Sequence, residues 1–329
     1  MEKKQDNLME ISDLTVRYNT DDAVVHAVNN FNLKLVRGEA RGLVGETGAG
    51  KTTLALSILR LLPERVGEVT GGSIVYDGQE LLNLPEAEML PLRGKRISMI
   101  FQDPMTSLNP TQTVGDQILE VLNLHFPEMT REEKNKRVDE MMTLVGIPPQ
   151  RKKSFPHEFS GGMKQRVVIA MALVAEPELL LADEPTTALD VTIQAQILEL
   201  MKQLREKFNT SVMLITHDLG VVAQFCDSVS VVYAGRVVEY GPVEVVFQRK
   251  ENHPYTAGLF NCIPNLHDDQ PRLHPIAGHM ADPRVEYEGC CFADRCEYAT
   301  ERCRTEAPSM HVCGEHGILC HRYAEKEEF

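Results

Sequence analysis

The chain has 329 residues, enough for one large domain or two with ample core. Its formal net charge of −14 makes it a poor sequence-independent nucleic-acid binder, because attraction to phosphate backbones needs a basic surface. No uncharged apolar run reaches the roughly 18 residues of a bilayer span, and Met1-Glu2-Lys3-Lys4-Gln5-Asp6 is followed by no apolar stretch of the kind that marks a secretory signal.

Residues 8–40 read as two antiparallel strands, Leu14-Thr15-Val16-Arg17-Tyr18 and the alternating Phe31, Leu33 and Leu35, joined by the loop signal Asn19-Thr20-Asp21-Asp22. Gly42-Leu43-Val44 is a short apolar strand. Gly45-Glu46-Thr47-Gly48-Ala49-Gly50-Lys51-Thr52-Thr53 follows it and fits G-x-x-x-x-G-K-[ST]. Leu54, Ile58 and Leu61 then recur at helical spacing until Pro63. Strand, glycine loop and helix together are the context a phosphate-binding loop requires. Glycines let backbone N–H groups converge on an anion, and the helix N-terminus adds partial positive charge. Lys51 can reach the β- and γ-phosphates, and the Thr52 hydroxyl can hold Mg²⁺. Tyr18 serves equally well as a strand-end residue or as a platform for an adenine.

Gly71-Gly72-Ser73-Ile74-Val75-Tyr76 is a short strand closing in the Asp77-Gly78 turn. Ile97–Phe101 reads as a buried strand, followed by Gln102-Asp103-Pro104. Residues 105–175 change character and predict three helices, Val114–Leu124, Arg131–Leu144 and Lys164–Val174, with Thr130 and Glu133 forming a capping box. Leu179-Leu180-Leu181-Ala182 is fully apolar and ends in Asp183-Glu184. Two carboxylates at the carboxyl end of a buried parallel strand belong to ligand chemistry, because burying charge without a partner is costly. The helix Thr192–Phe208 carries Ile193, Ile197, Leu200, Leu204 and Phe208 on one face. Val212–Ile215 is a buried strand ending in Thr216-His217-Asp218, and Ser228–Tyr233 with Arg236–Glu239 forms a hairpin through Ala234-Gly235. This alternation predicts an α/β fold with a mostly parallel, covered sheet. From about residue 250, Pro254, Pro264, Pro271, Pro275 and Pro283 interrupt any long element, and the acidic end Glu325-Lys326-Glu327-Glu328 closes the chain.

The phosphate loop alone says only that a nucleotide binds. Gln102 after a strand, Ser160-Gly161-Gly162-Met163-Lys164-Gln165 opening a helix, the Asp183-Glu184 pair and His217 closing a strand narrow it. In this order the motifs resemble the nucleotide-binding subunit of an ABC transporter over residues 8–250. Residues 100–110, 159–163 and 182–192 resemble the oligopeptide/dipeptide/nickel importer group, and among its members the D-type ATPase subunits of peptide permeases. The resemblance implies an ABC-type nucleotide-binding domain with a P-loop core sheet, an antiparallel β subdomain and a helical subdomain at about 103–165. A Cys-rich extension of the peptide-permease type over 251–329 would follow it.

The resemblance also implies roles. Tyr18 would stack on adenine, and Lys51 with the amides of residues 45–53 would hold the phosphates. Thr52 and Gln102 would bind Mg²⁺, with Asp183 reaching the ion through water. Glu184 would polarise the attacking water and His217 would contact it and the γ-phosphate. Asp190 would communicate with a partner subunit. Ser160, Gly161 and Gly162 would cover the nucleotide of an opposing ATPase subunit, a paralogue in this family, so hydrolysis would need head-to-tail assembly. Two transmembrane permease subunits and an extracytoplasmic substrate-binding protein would complete the importer, with the chain peripheral on the cytoplasmic face of the inner membrane. Phe159 and Met163 replace the Leu and Gln commoner in the signature, as in the importer group, and Thr47 stands where Ser is commoner.

Six of the eight cysteines lie between Cys290 and Cys320, which in a cytosolic chain suggests metal rather than disulfides. The resemblance selects Cys290, Cys296, Cys303 and Cys320, spaced C-x5-C-x6-C-x16-C, and leaves Cys291 and Cys313 as extras. Spacing without C-x2-C pairs names no metal, and four thiolates suit Zn²⁺ or an iron–sulfur cluster. The family carries a [4Fe-4S] cluster, which would pin a tail with little core of its own. Cys226 and Cys262 read as ordinary buried thiols, and His311, His316 and His321 as surface residues. Two rivals remain. A soluble ABC ATPase of DNA repair or translation would carry two modules, a coiled-coil insertion or a basic surface. A regulatory iron–sulfur module without ATPase activity would have no need of Glu184 and His217. The motifs do not distinguish peptides from nickel chelates or other small solutes.

Overall fold

The computed structural model describes residues 6–248, 250–263 and 275–324; Pro264, Pro271 and the acidic end 325–328 lie outside them. The chain opens with β1 (Asn7–Asn19), β2 (Val24–Val36), β3 (Ala40–Val44), α1 (Lys51–Ile58), β4 (Gly67–Tyr76) and β5 (Gln79–Glu80). It continues with α2 (Glu86–Met89), β6 (Ile97–Ile100), α3 (Pro104–Ser107), α4 (Val114–His125), α5 (Arg131–Leu144) and α6 (Gly161–Leu173). β7 (Leu179–Asp183), α7 (Val191–Phe208), β8 (Ser211–Thr216), α8 (Leu219–Phe225), β9 (Ser228–Tyr233) and β10 (Arg236–Pro242) follow. The last elements are α9 (Val243–Val246), α10 (Pro254–Asn261), α11 (Glu301–Thr305), β11 (Met310–Cys313) and β12 (His316–Leu319). The chain divides into two compact units, one of Val36–Ala40 and Asn83–Ile215, the other of Asn7–Leu35, Arg41–Leu82 and the residues from Thr216 onward.

In the first unit β6, β7 and β8 pair in parallel, with Ile100 opposite Ala182 and Asp183 opposite Ile215. Every residue of β7 is buried, as a strand covered on both faces requires. Thr130 and Glu133 form the expected capping box at α5: each caps the other's backbone N–H. α6 begins at Gly161, three residues before the expected Lys164, because Ser160 takes the N-cap and its Oγ accepts the Met163 N–H. On α7 the stripe Ile197, Leu200 and Leu204 is buried as expected, whereas Ile193 and Phe208 are only half-buried at the two ends of the helix.

The second unit holds two sheets. One has the order β2-β1-β4-β5, with β1 antiparallel to β4 and the β4–β5 turn made at Asp77 and Gly78, both at positive φ. In the other, β3 runs parallel to β9, β9 and β10 form the expected hairpin, and β12 then β11 add antiparallel strands beyond β10. The sequence reading left these last two strands inside a Cys-rich tail.

A buried polar cluster fixes that addition. Glu239 on β10 is fully buried and its carboxylate accepts from Asn252 Nδ2 (2.7 Å), the His253 N–H (2.8 Å) and His316 Nε2 (2.8 Å). His316 is therefore not the surface residue expected; it leaves only 4 % of its area exposed. Burial pushes the imidazole pKa of His253 down to about 3, and its neutral Nδ1 accepts the Tyr255 N–H at the start of α10. Cys226 is buried as expected, but Cys262 is only partly covered.

Candidate active site

The glycine loop lies in the second unit, between the end of β3 and the start of α1. Gly50 has φ 94°, and a Cβ there would stand 2.1 Å from the Ala27 carbonyl oxygen, so no other residue fits. Lys51 is buried and folded across its own loop, with Nζ donating to the carbonyls of Gly45 (2.7 Å) and Glu46 (3.0 Å). The Thr52 side chain is exposed. Thr53 is buried and its Oγ1 accepts from the Tyr18 hydroxyl at 3.1 Å, which ties the half-buried Tyr18 to the first turn of α1. Thr47 and Gly48 are exposed at the loop tip, while Ala49 is buried.

Glu46 is held from the C-terminal side of the chain. Its N–H donates to the Tyr255 hydroxyl at 2.9 Å. Its carboxylate receives both ends of the Arg295 guanidinium, at 2.7 and 3.1 Å, and Arg295 leaves only 5 % of its side chain exposed. Burial holds the Tyr255 hydroxyl protonated, above the ordinary phenol range. Sequence reasoning missed both partners, because no local pattern links residues about 200 or more positions apart.

The first unit carries the acidic pair. Asp183 is buried at the end of β7, and the Glu184 N–H continues the ladder to the Ile215 carbonyl at 2.8 Å. Glu184 has φ 46°, a left-handed conformation uncommon for this residue, of the sort that concentrates at functional sites. Its Oε2 accepts from Thr187 Oγ1 at 2.8 Å and from Gln102 Nε2 at 3.2 Å. The structure thus brings Gln102 and Glu184 together and adds Thr187, which the sequence reading did not single out. Asp190 is exposed and caps α7 by accepting the Ile193 N–H at 3.0 Å. The Ile193 side chain closes over Gly162, where a Cβ would meet it at 2.6 Å, so the Ser160-Gly161-Gly162 turn is seated on the start of α7. His217 is exposed after β8, where Asp218 caps α8 by accepting from the Gly220 and Val221 N–H groups. Gln102, Asp183, Glu184, Asp190 and Ser160 to Gly162 belong to the first unit; Tyr18, the glycine loop and His217 belong to the second.

Cys290, Cys296, Cys303 and Cys320 line one small cavity together with His253 and Phe292. Burial pushes the Cys290 thiol up to about 12 and raises Cys296 and Cys320 in the same direction. Cys291 turns away, its Sγ 4.0 Å from the Tyr233 carbonyl, and neither it nor Cys313 lines the cavity. Among the described residues no three His, Cys, Asp or Glu side chains converge closely enough to hold a metal ion. The geometry therefore gives no support to the expected metal, whether a [4Fe-4S] cluster or zinc.

Residues 28–187 match the family model described as ABC transporter, and residues 238–303 match the one described as oligopeptide/dipeptide transporter, C-terminal region. The chain is 47 % identical over 326 residues to an oligopeptide transport ATP-binding protein OppD of Haemophilus influenzae, covering 98 % of both chains. It is 49 % identical over 303 residues to OppD of Salmonella typhimurium, covering 92 % of this chain and 89 % of that one. Among solved structures, a dimeric ATP-binding cassette in a post-hydrolysis state with ADP and phosphate superposes with a TM-score of 0.64 at 28 % identity, covering 71 % of this chain and 98 % of that one. CbiO1 of Clostridium perfringens, part of a CbiONQ ABC transporter complex, gives 0.65 at 30 % identity, over 75 % and 93 % of the two chains.

Proposed function

Because this chain belongs to the ABC transporter ATPase family, in its oligopeptide/dipeptide branch, we propose that the residues described above power inward transport of peptides in a head-to-tail pair of ATPase subunits. The chain is an ATP-hydrolysing subunit of a peptide importer. The observation that carries the reading is near full-length similarity to OppD proteins combined with an undegraded motif set.

In this mechanism the loop amides and Lys51 bind the β- and γ-phosphates, and Tyr18 stacks on the adenine. Lys51 leaves the carbonyls of Gly45 and Glu46 to do so, exchanging two neutral acceptors for an anion. Thr52 and Gln102 would hold Mg²⁺, with Asp183 reaching it through water. The ion would neutralise developing phosphate charge. Glu184 accepts the proton of the attacking water, Thr187 and Gln102 fix its carboxylate, and His217 orients water and γ-phosphate. The products are ADP and phosphate. Ser160, Gly161 and Gly162 face the nucleotide of the partner, and Asp190 lies where the subunits communicate. A second ATPase subunit, two permease subunits and a substrate-binding protein complete the assembly, with this chain at the cytoplasmic face of the membrane. No described helix is long and apolar enough to cross a membrane. We assign residues 8–250 to the ATPase domain, with the helical subdomain at about 103–165, and 251–329 to the extension.

For the extension we propose a [4Fe-4S] cluster held by Cys290, Cys296, Cys303 and Cys320, with a structural role. Four thiols around one cavity are the fitting donor set. Iron and acid-labile sulfide in anaerobically purified protein support this; a colourless, zinc-loaded protein refutes it. Peptide-stimulated ATPase activity and peptide uptake by the importer reassembled in vesicles test the main reading. Stimulation by nickel chelates in place of peptides would redirect it.

A further inference from the structure

We propose that Arg295 is a positioning residue for ATP binding, acting from the C-terminal extension on the phosphate loop through Glu46. Glu46 is the second residue of the glycine loop and lines one cavity with Thr47, Gly48 and Ala49, so it carries a negative charge into the loop that would wrap a triphosphate. Left unpaired, that carboxylate would repel the nucleotide. Arg295 neutralises it in a two-point fork, at 2.7 and 3.1 Å, and fixes the direction of the loop as well as its charge.

The arginine is itself preorganised. Its remaining N–H groups donate to the Ala277 carbonyl at 3.1 Å and the Ile276 carbonyl at 3.4 Å. The guanidinium carbon stands 5.8 Å from the Tyr233 ring centre and 5.9 Å from that of Phe292, and these two rings meet edge to face. Tyr255 packs against both rings while its hydroxyl accepts the Glu46 N–H. Two points of one loop residue, its amide and its carboxylate, are thus held by residues 255 and 295. Earlier in the extension, the Pro283 carbonyl accepts the His26 N–H at 2.7 Å, and residues 280–283 share with Glu46, Thr47 and Gly48 the wall of a cavity of about 100 Å³. Arg295 closes the short turn Ala293–Arg295 that leads into Cys296, one of the four cysteines around the thiol cavity. The extension therefore braces the loop from outside the nucleotide.

The inference rests on the ATPase reading, and the experiment separates the two. ATP affinity is measured on the full-length chain, and steady-state hydrolysis on the assembled importer, for wild type, Arg295→Gln, Arg295→Lys and the double variant Glu46→Gln/Arg295→Gln. Arg295→Gln should raise KM for ATP about tenfold with kcat within about twofold, the pattern of lost binding shared by the ground and transition states. Arg295→Lys, which keeps the charge but not the fork, should fall between. The double variant should recover most of the lost affinity, because removing the unpaired carboxylate removes the repulsion. Glue between extension and core predicts something else: a lower melting temperature for Arg295→Gln, an unchanged KM, and no recovery in the double variant. That result overturns the proposal. If Arg295→Gln does not fold, Arg295→Lys with wild-type KM overturns it equally. A wild-type chain that fails to bind ATP would instead sink the ATPase reading.

Discussion

Glu184→Gln isolates the proposed proton acceptor from everything else that residue does. Glutamine is isosteric, and its Oε1 can still accept from Thr187 and Gln102, so the hydrogen bonds at 2.8 and 3.2 Å persist in neutral form. The backbone strain at φ 46° is the same for both residues. Stability should change by less than about 0.5 kcal/mol, as for substitutions that create no cavity or orphaned group. What disappears is basicity. General-base catalysis contributes roughly 10²- to 10⁴-fold, which is about 2.7–5.4 kcal/mol of barrier. In the assembled importer kcat should fall by that range with ATP affinity equal or tighter, and the ATP-bound closed pair should accumulate on gel filtration. Glu184→Asn, which tolerates a left-handed backbone, should be equally inactive if the chemistry and not the strain matters. A kcat within tenfold of wild type would refute the assignment of Glu184 as the base.

Gly50→Ala must place a methyl 2.1 Å from the Ala27 carbonyl at φ 94°, so the loop has to shift; ATP affinity should drop at least about tenfold, read by titration of the full chain. His316→Ala removes one of three donors to the fully buried Glu239 carboxylate, and urea unfolding should show a loss of roughly 1–3 kcal/mol; a loss below about 0.5 kcal/mol would mean water replaces the imidazole. Arg96, with Arg37, holds the Glu178 carboxyl below its ordinary 4.5. A folded pKa below the unfolded value means this contribution is present above about 4.5 and lost as pH falls through the folded value. Glu178→Gln should therefore be less stable than wild type at neutral pH and converge on it in acid, measured by melting temperature against pH.

Much of the site was legible because its chemistry depends on neighbours in sequence. The glycine loop needs consecutive residues to wrap one anion. Ser160 caps the helix it opens, and Asp190 caps the next one. Glu184 follows the apolar run whose burial brings it to a strand end. The helices 114–125 and 131–144 end within one residue of the expected bounds, and the second was marked by its Thr130–Glu133 capping box. What was illegible depends on distant partners. Glu46 carries no local sign that an arginine 249 positions later will pair with it. His316 looks like a surface residue until β12 pairs with β10 and delivers it to Glu239. The hairpin β11–β12 is short and mixed in composition, so only its place beside an existing strand makes it a strand at all.

That hairpin has a consequence for any attempt to shorten the protein. β10 would otherwise end its sheet as a row of unsatisfied backbone donors and acceptors next to the apolar Val237 and Val238. β12 occupies part of that row, opposite Glu239 and Tyr240, and β11 becomes the outermost strand. Clipping the chain before residue 310 would bare a sticky border and uncap the acid beneath it, inviting copies to stack side by side. The last stretch is thus a selvedge that keeps one molecule from being stitched to the next.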